Sequence, residues 1–87
     1  MLDHWFRRVF RRSWFAIEIR GETMTVVWGR APRHFFRNCE KIFRKHPIRR
    51  GFIYGMKRHN EVELQFSPGF PEDLEDRVVK LWLMLTY

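Results

Sequence analysis

The sequence predicts an α+β fold: a four-stranded, mainly antiparallel sheet with two helices on one face, preceded by a short amphipathic N-terminal helix. Two observations predict it. Segments in which apolar residues alternate come in two pairs, and each pair precedes a segment with apolar residues at helical spacing. Because neither helical segment can bury its apolar stripe alone, we expect both to pack on one common sheet.

The length of the chain limits it to a single domain. Its 87 residues are 45% hydrophobic, which is enough for one core and too few for two. We predict a basic amphipathic helix over residues 1–12 and one α+β domain over residues 13–87. Within that domain, the two ββα units cover about residues 13–46 and 50–87.

The N-terminal helix has an apolar face opposite a cluster of arginines. We predict that it binds a membrane, because its aromatic side chains suit the headgroup boundary while its arginines suit lipid phosphates. The alternative is a terminal helix that packs against the domain. The predicted membrane-binding residues are Trp5, Phe6, Arg7, Arg8, Phe10, Arg11 and Arg12.

The first ββα unit follows this helix. Residues 14–20 alternate in polarity and predict a half-buried strand, and the β-branched and aromatic residues 24–28 predict its hairpin partner. Pro32 suits the first position of a helix, since its missing N–H and fixed φ cost nothing there. The helical spacing continues to Lys45, and Pro47 then ends the helix.

The second unit repeats this order. Residues 51–57 and 61–66 alternate in polarity around a turn at residues 58–60, which predicts a second hairpin. Pro71 opens a helix that runs roughly to the C-terminus, with acidic residues in its first turn. Residues 81–87 are apolar on nearly all sides of the helix, so two neighbouring surfaces are needed to bury them. A homodimer contact through the C-terminal helix is one way to supply the second surface.

The charge is strongly positive and unevenly placed. Lys and Arg number 17 against 10 Asp and Glu, a net charge of +7. Residues 1–50 hold 13 of the bases and four of the acids, whereas residues 51–87 hold four bases and six acids. This balance favours an anionic partner, which is an anionic membrane surface, an acidic protein or a nucleic acid.

Basic residues form a stripe on the first of the two domain helices. Four of them fall at positions i, i+4, i+8 and i+11, on the side opposite the apolar stripe. A solvated helix face is the simplest interpretation, and contact with phosphates or an acidic partner is the functional one. The predicted binding residues are Arg30, Arg33, Arg37, Lys41, Arg44, Lys45, Arg49 and Arg50.

The sequence offers no catalytic or metal-binding constellation. Cys39 lies in the apolar stripe, more than 100° around the helix from His34, so we expect a core thiol and not a nucleophile. The acidic residues near Pro71 suit the start of a helix, and the glycines lack the order of a phosphate-binding loop. We therefore predict no enzymatic activity, no cofactor and no metal.

Localisation follows from what the sequence lacks. A single cysteine favours a reducing compartment, and the sequence shows neither a signal peptide nor an apolar window long enough to span a bilayer. We expect a cytoplasmic protein that is peripheral on the inner membrane if the first helix binds lipid.

A set of strand and turn residues resembles a family of small uncharacterised bacterial proteins, over about residues 14–82. The resemblance implies a fold and no chemistry, and members of that family typically carry an apolar N-terminal membrane anchor. Here an arginine-rich segment stands in the place of the anchor. The residues that carry the resemblance are Phe15 to Arg20, Val26, Val27, Gly29, Pro32, Gly51, Ile53, Gly55, Val62, Leu64, Phe66, Ser67, Pro71, Leu74, Arg77 and Trp82.

Together these observations predict a small, basic, non-enzymatic interaction module that docks on an anionic surface, above all the inner membrane face or a membrane-bound partner. A protein that binds the phosphate backbone of nucleic acid through its first domain helix is the main alternative. An inhibitor or adaptor that binds an acidic protein is a further one.

Overall fold

In a computed structural model, two ββα units follow one another along the chain. The structure describes residues 13–59 and 61–86, with side chains for residues 14–59 and 61–85. The predicted N-terminal helix, residues 1–12, lies outside the described residues. The helices and strands, in order, are β1 (Ser13–Gly21), β2 (Thr23–Gly29), α1 (Arg33–Lys45), β3 (Ile48–Arg58), β4 (Glu61–Phe66) and α2 (Glu72–Thr86).

The four strands form one sheet in the order β2-β1-β3-β4, and every neighbouring pair is antiparallel. The first strand of each unit lies at the centre, where Ile17 is paired with Ile53. Each hairpin partner lies outside, with Val26 opposite Ile17 and Phe66 opposite Ile53. The predicted α+β class, with a four-stranded antiparallel sheet and two helices, is confirmed.

Both helices pack on the same face of the sheet. Phe15 of β1 contacts Phe35 of α1 and Trp82 of α2, with ring centroids 6.2 and 5.9 Å away. The rings of Phe35 and Trp82 meet edge to face at 4.9 Å, a favoured aromatic geometry. These rings belong to one continuous core that also contains Cys39 and Val78.

The two domain helices run antiparallel. Phe35, near the start of α1, meets Trp82 near the end of α2, whereas Phe43, near the end of α1, meets Phe70 just before α2. Phe15 lies at the start of β1 and contacts the first of these pairs. The start of β1, the start of α1 and the end of α2 therefore lie at one end of the molecule.

Two glycines decide which residues of β3 face the helices. A Cβ added to Gly55 would overlap the ring of Phe15, and one added to Gly51 would lie 2.7 Å from a ring carbon of Phe70. The helix side of β3 therefore presents Gly51, Ile53 and Gly55. The alternating set that begins with Phe52 lies on the other face, where Phe52 and Tyr54 form a smaller buried cluster.

Some boundaries differ from the predicted ones. Strand β3 begins at Ile48, three residues before the predicted Gly51, because Ile48 pairs with Gly21 at the end of β1. Helix α1 begins at Arg33, since Pro32 has a ψ of 132°, outside the helical range. Pro32 is the N-cap, and its carbonyl accepts the first helical hydrogen bond from the N–H of Phe36 at 3.0 Å.

Candidate functional site

The end of the molecule where β1 begins exposes large apolar side chains. Trp14 is 55% exposed, Trp28 51% and Met84 77%. They lie at the same end because β2 returns antiparallel beside β1 while α2 finishes over the start of β1. Trp28 is paired with Ala16 and so lies on the sheet face away from the helices, whereas Trp14 and Leu83 lie on the helix side. We call this surface the apolar end; its residues are Trp14, Trp28, Leu83, Met84 and Leu85.

A register shift positions Trp14. The ladder between β1 and β3 is irregular between Ser13 and Phe15, so Trp14 falls within the shift. In an unbroken strand, Trp14 and Phe15 would point to opposite faces. Here both line the same groove on the helix side of the sheet. The shift thereby adds an exposed indole to the apolar end.

Positive charges surround the apolar end. The ammonium of Lys57 lies 5.5 Å from the ring centroid of Trp14, which is within the range of a cation–π contact. Arg30 and Arg33 precede and open α1 at this end, and both are exposed. Arg58 also lies here, but its guanidinium donates to Glu63 at 3.0 Å, so its charge is matched locally.

A groove of about 860 Å³ opens at the same end, between β4 and the second half of α2. The side chains of Phe15 and Trp82 are buried and form its floor, while Trp14, Leu83 and Arg30 are exposed at its rim. Its volume falls within the range of small-molecule sites. The groove is also lined by Pro32, Arg58, His59, Glu61, Val62, Glu63, Leu64 and Val79.

The predicted basic stripe lies on the exposed face of α1. Phe35, Cys39 and Phe43 bury the other face of this helix in the core. No described acidic group lies within ion-pair distance of the four bases, so their charge is directed to solvent. We call this surface the basic helix face; its residues are Arg33, Arg37, Lys41 and Arg44.

Of the other four predicted binding residues, Arg30 lies at one end of the molecule and the remaining three lie towards the opposite end. Arg30 is at the apolar end, whereas Lys45 ends α1 and Arg49 lies in β3 near the opposite end. The guanidinium of Arg50 donates to Glu18 at 2.9 Å and stacks over the ring of Phe52 at 5.4 Å. Its charge is therefore already engaged, and it does not join the basic helix face.

The groups considered for catalysis lie apart. Cys39 is fully buried in the core, and burial raises the pKa of its thiol to about 12, so the thiol keeps its proton at neutral pH. His34 is exposed on α1. Across the described part of the chain, no cluster of three or more His, Cys, Asp or Glu side chains is arranged to hold a metal ion.

Acidic residues occupy the first turn of α2, as predicted from the helix dipole. Burial raises the pKa of Glu75, and the neighbouring carboxylates of Glu72 and Asp76 raise it further. These residues lie at the end of the molecule opposite the apolar end, where α2 begins. The acidic start of α2 and the basic end of α1 therefore lie at the same end of the molecule.

The family of the chain is shown by a family model described as "Protein of unknown function (DUF3634)", which matches residues 6–86. The chain belongs to this family. No curated protein and no solved structure matches the chain. The expected resemblance to a family of unknown function is confirmed. Of the helices that the structure describes, none is both long and apolar enough to cross a membrane.

Sequence reasoning identified the basic helix face and missed the apolar end. Trp14 and Trp28 were assigned to strands without a role, although one begins β1 and the other lies near the end of its hairpin partner. Trp28 is paired with Ala16, two residues after Trp14, so the two tryptophans lie at the same end of the hairpin. A tryptophan at each of them was therefore the available signal.

Proposed function

We propose that this chain is a non-enzymatic interaction module that docks on an anionic membrane surface through its apolar end. The inner face of a bacterial membrane is the surface we propose. The observation that carries the proposal is that Trp14, Trp28 and Met84, all exposed, lie at one end of the fold with bases that have no described acidic partner within ion-pair distance.

The residue types at this end suit the boundary between lipid headgroups and acyl chains. Indole rings favour that boundary because they are apolar in body and carry one polar N–H. Met84 and its two leucine neighbours could enter the acyl region, since their side chains are already exposed at the last turn of α2. Exposed apolar residues clustered in this way commonly mark an interaction site.

The surrounding charges favour anionic lipid over neutral lipid. Arg30, Arg33 and Lys57 lie at this end, and each basic residue near a negatively charged membrane contributes about 1 kcal/mol. The bases further along α1 are too distant for direct contact in this orientation. They would attract the molecule to the surface at low salt and matter less at physiological salt.

The predicted N-terminal segment would add to this surface. Strand β1 begins at the apolar end, so residues 1–12 join the domain there. Trp5, Phe6 and Phe10, with the arginines between and after them, have the composition of an interfacial anchor.

Co-sedimentation with phosphatidylglycerol-containing and phosphatidylcholine vesicles tests the docking surface. Met84→Glu places a charge on the apolar end and should weaken partitioning into anionic vesicles by about tenfold or more. The matched control is Thr23→Glu, which adds the same charge at an exposed site at the opposite end; it should change partitioning by less than about threefold. Equal losses in the two variants would contradict docking through the apolar end.

Docking through the apolar end predicts that the effect of a charge reversal on vesicle binding decreases along α1. The helix is about 20 Å long, whereas electrostatic attraction at physiological salt decays over about 8 Å. Arg33→Glu, near the membrane, should therefore weaken vesicle binding more than Arg44→Glu, far from it. Docking of the whole basic helix face, side on, would instead make the two variants equivalent.

Binding of nucleic acid through the basic helix face is the second candidate. Its support is the row of exposed bases on α1 that have no described acidic partner. In that case, the double variant Arg37→Glu/Lys41→Glu should abolish binding to duplex DNA or RNA, while Met84→Glu should leave it unchanged. If the partner is an acidic protein, which is the third alternative, the chain should bind neither vesicles nor duplexes.

A further inference from the structure

The groove at the apolar end combines an apolar floor with a charged rim. Phe15, Leu64 and Trp82 present carbon surface inside it, while Arg30 lies at its edge. A groove of this composition suits a ligand with an extended apolar body and one negative group. Its volume of about 860 Å³ is sufficient for a single hydrocarbon chain of ordinary length.

Among the charged residues that line the groove, Arg30 is the base that can hold an anion. Arg58 and Glu63 neutralise each other at 3.0 Å. Glu61 contributes one negative charge and Arg30 one positive charge, so the lining is neutral as a whole. Lys57 lies beside the groove, with its ammonium 5.5 Å from the ring centroid of Trp14. Neither Arg30 nor Lys57 has a described acidic partner within ion-pair distance. Because a guanidinium can bind a phosphate through two parallel hydrogen bonds, Arg30 is well suited to hold the anionic group.

The position of the groove indicates where such a ligand would come from. Trp14 and Leu83 belong both to the apolar end and to the lining of the groove, so the groove opens onto the surface that would face the bilayer. An acyl chain leaving the bilayer could enter without crossing bulk water. Chain burial is favourable because each methylene group is removed from water.

We propose that the groove binds one acyl chain of an anionic phospholipid, with the lipid phosphate at Arg30. This inference rests on the proposed function, since docking brings the groove to the lipid. The hydrocarbon lies against Phe15, Leu64 and Trp82, and the headgroup stays at the rim. The domain would then hold an individual lipid in addition to resting on the membrane.

Binding of a soluble single-chain lipid tests the proposal without a bilayer. The probe is lauroyl lysophosphatidylglycerol below its critical micelle concentration, titrated into the intact protein and followed by calorimetry and methyl NMR. We expect saturable binding of one lipid per chain. The phosphocholine analogue should bind at least about fivefold more weakly, and Arg30→Gln should remove that preference.

A matched pair of variants locates the site. Leu64→Trp fills the groove and should weaken binding by about tenfold or more, whereas Gln65→Trp adds the same ring on the opposite face of β4 and should leave it unchanged. Thermal unfolding checks that both variants fold. If Leu64→Trp does not fold, Val79→Trp takes its place, because Val79 lines the same groove from α2.

Several results would overturn the proposal. These are binding without saturation, equal binding by the Leu64 and Gln65 variants, or a concentration-dependent dimer that takes up no lipid because a second copy covers the groove. Failure of vesicle docking with intact lipid uptake would reject the proposed function and leave the groove as a lipid site. Vesicle docking that persists without uptake would reject the groove proposal alone.

Discussion

Gly55 shows how a single missing side chain shapes the core. Its backbone lies against the ring of Phe15, and any Cβ there would overlap three atoms of that ring. Alanine should therefore destabilise the fold by about 1–3 kcal/mol, although alanine is otherwise no worse than glycine in a strand. Urea unfolding of Gly55→Ala measures this loss.

A double-mutant cycle identifies the cause of that loss. In a Phe15→Leu background the ring is absent, so Gly55→Ala should cost clearly less than it does in the wild type. Equal costs in both backgrounds would mean that the ring of Phe15 is not what requires glycine at position 55.

Cys39 predicts how stability depends on alkaline pH. Its pKa is raised from an ordinary value of 9.0 to about 12 because burial disfavours the thiolate. The unfolded chain therefore releases the thiol proton first, and stability falls as the pH rises from 9 towards 12. By about pH 10.5 the loss from this group should reach about 2 kcal/mol.

Cys39→Ala isolates this contribution. The variant lacks the thiol, so its free energy of unfolding should decline less than that of the wild type between about pH 8 and about pH 10.5. Tyr54, whose pKa is also raised by burial, is present in both proteins and cancels in the comparison. Parallel declines would show that the thiol ionises equally easily in the folded and unfolded chains.

At the scale of elements, the two helices begin in opposite ways. Helix α2 has Glu72, Asp73 and Glu75 in its first turn, which suits the positive end of the helix dipole. Helix α1 has no acidic residue there, and Pro32 provides no side-chain cap. Its first residue, Arg33, is a base at the end of a helix where bases are least favourable.

Arg33→Glu should therefore change fold stability and vesicle binding in opposite directions. The variant should stabilise the fold by roughly 0.3–1 kcal/mol, because the carboxylate interacts favourably with the helix N-terminus. It should at the same time weaken partitioning into anionic vesicles. Thermal unfolding and co-sedimentation of the same protein measure both effects, and a loss of stability would contradict this account of the start of α1.

The elements were predictable because their signals are local. Alternation along β1 and β4, and the helical spacing after Pro32 and Pro71, depend on residues near one another in sequence. The early start of β3 was not predictable, since Ile48 joins the sheet through its pairing with Gly21. The helix-facing side of β3 was also not predictable, because its two glycines make sense only once the rings of Phe15 and Phe70 are placed.

At the scale of the whole molecule, the basic helix face could be predicted and the apolar end could not. The bases of α1 share one helix, so their spacing alone places them together. The apolar end joins Trp14, Trp28 and the last turn of α2, which are far apart in sequence. Their location at one end depends on the strand order and on the antiparallel helices, which only the folded structure supplies.

The proposed docking has a defined orientation, with the apolar end in the bilayer and the far end of α1 away from it. Cysteine substitutions at Met84 and Lys45 place an environment-sensitive fluorophore at the two ends, and buried Cys39 should stay unlabelled. On anionic vesicles, the probe at Met84 should shift to shorter wavelength and be quenched by acyl-chain quenchers, while the probe at Lys45 should change little. A response at Lys45 equal to that at Met84, or no response at Met84 in bound protein, would contradict the account.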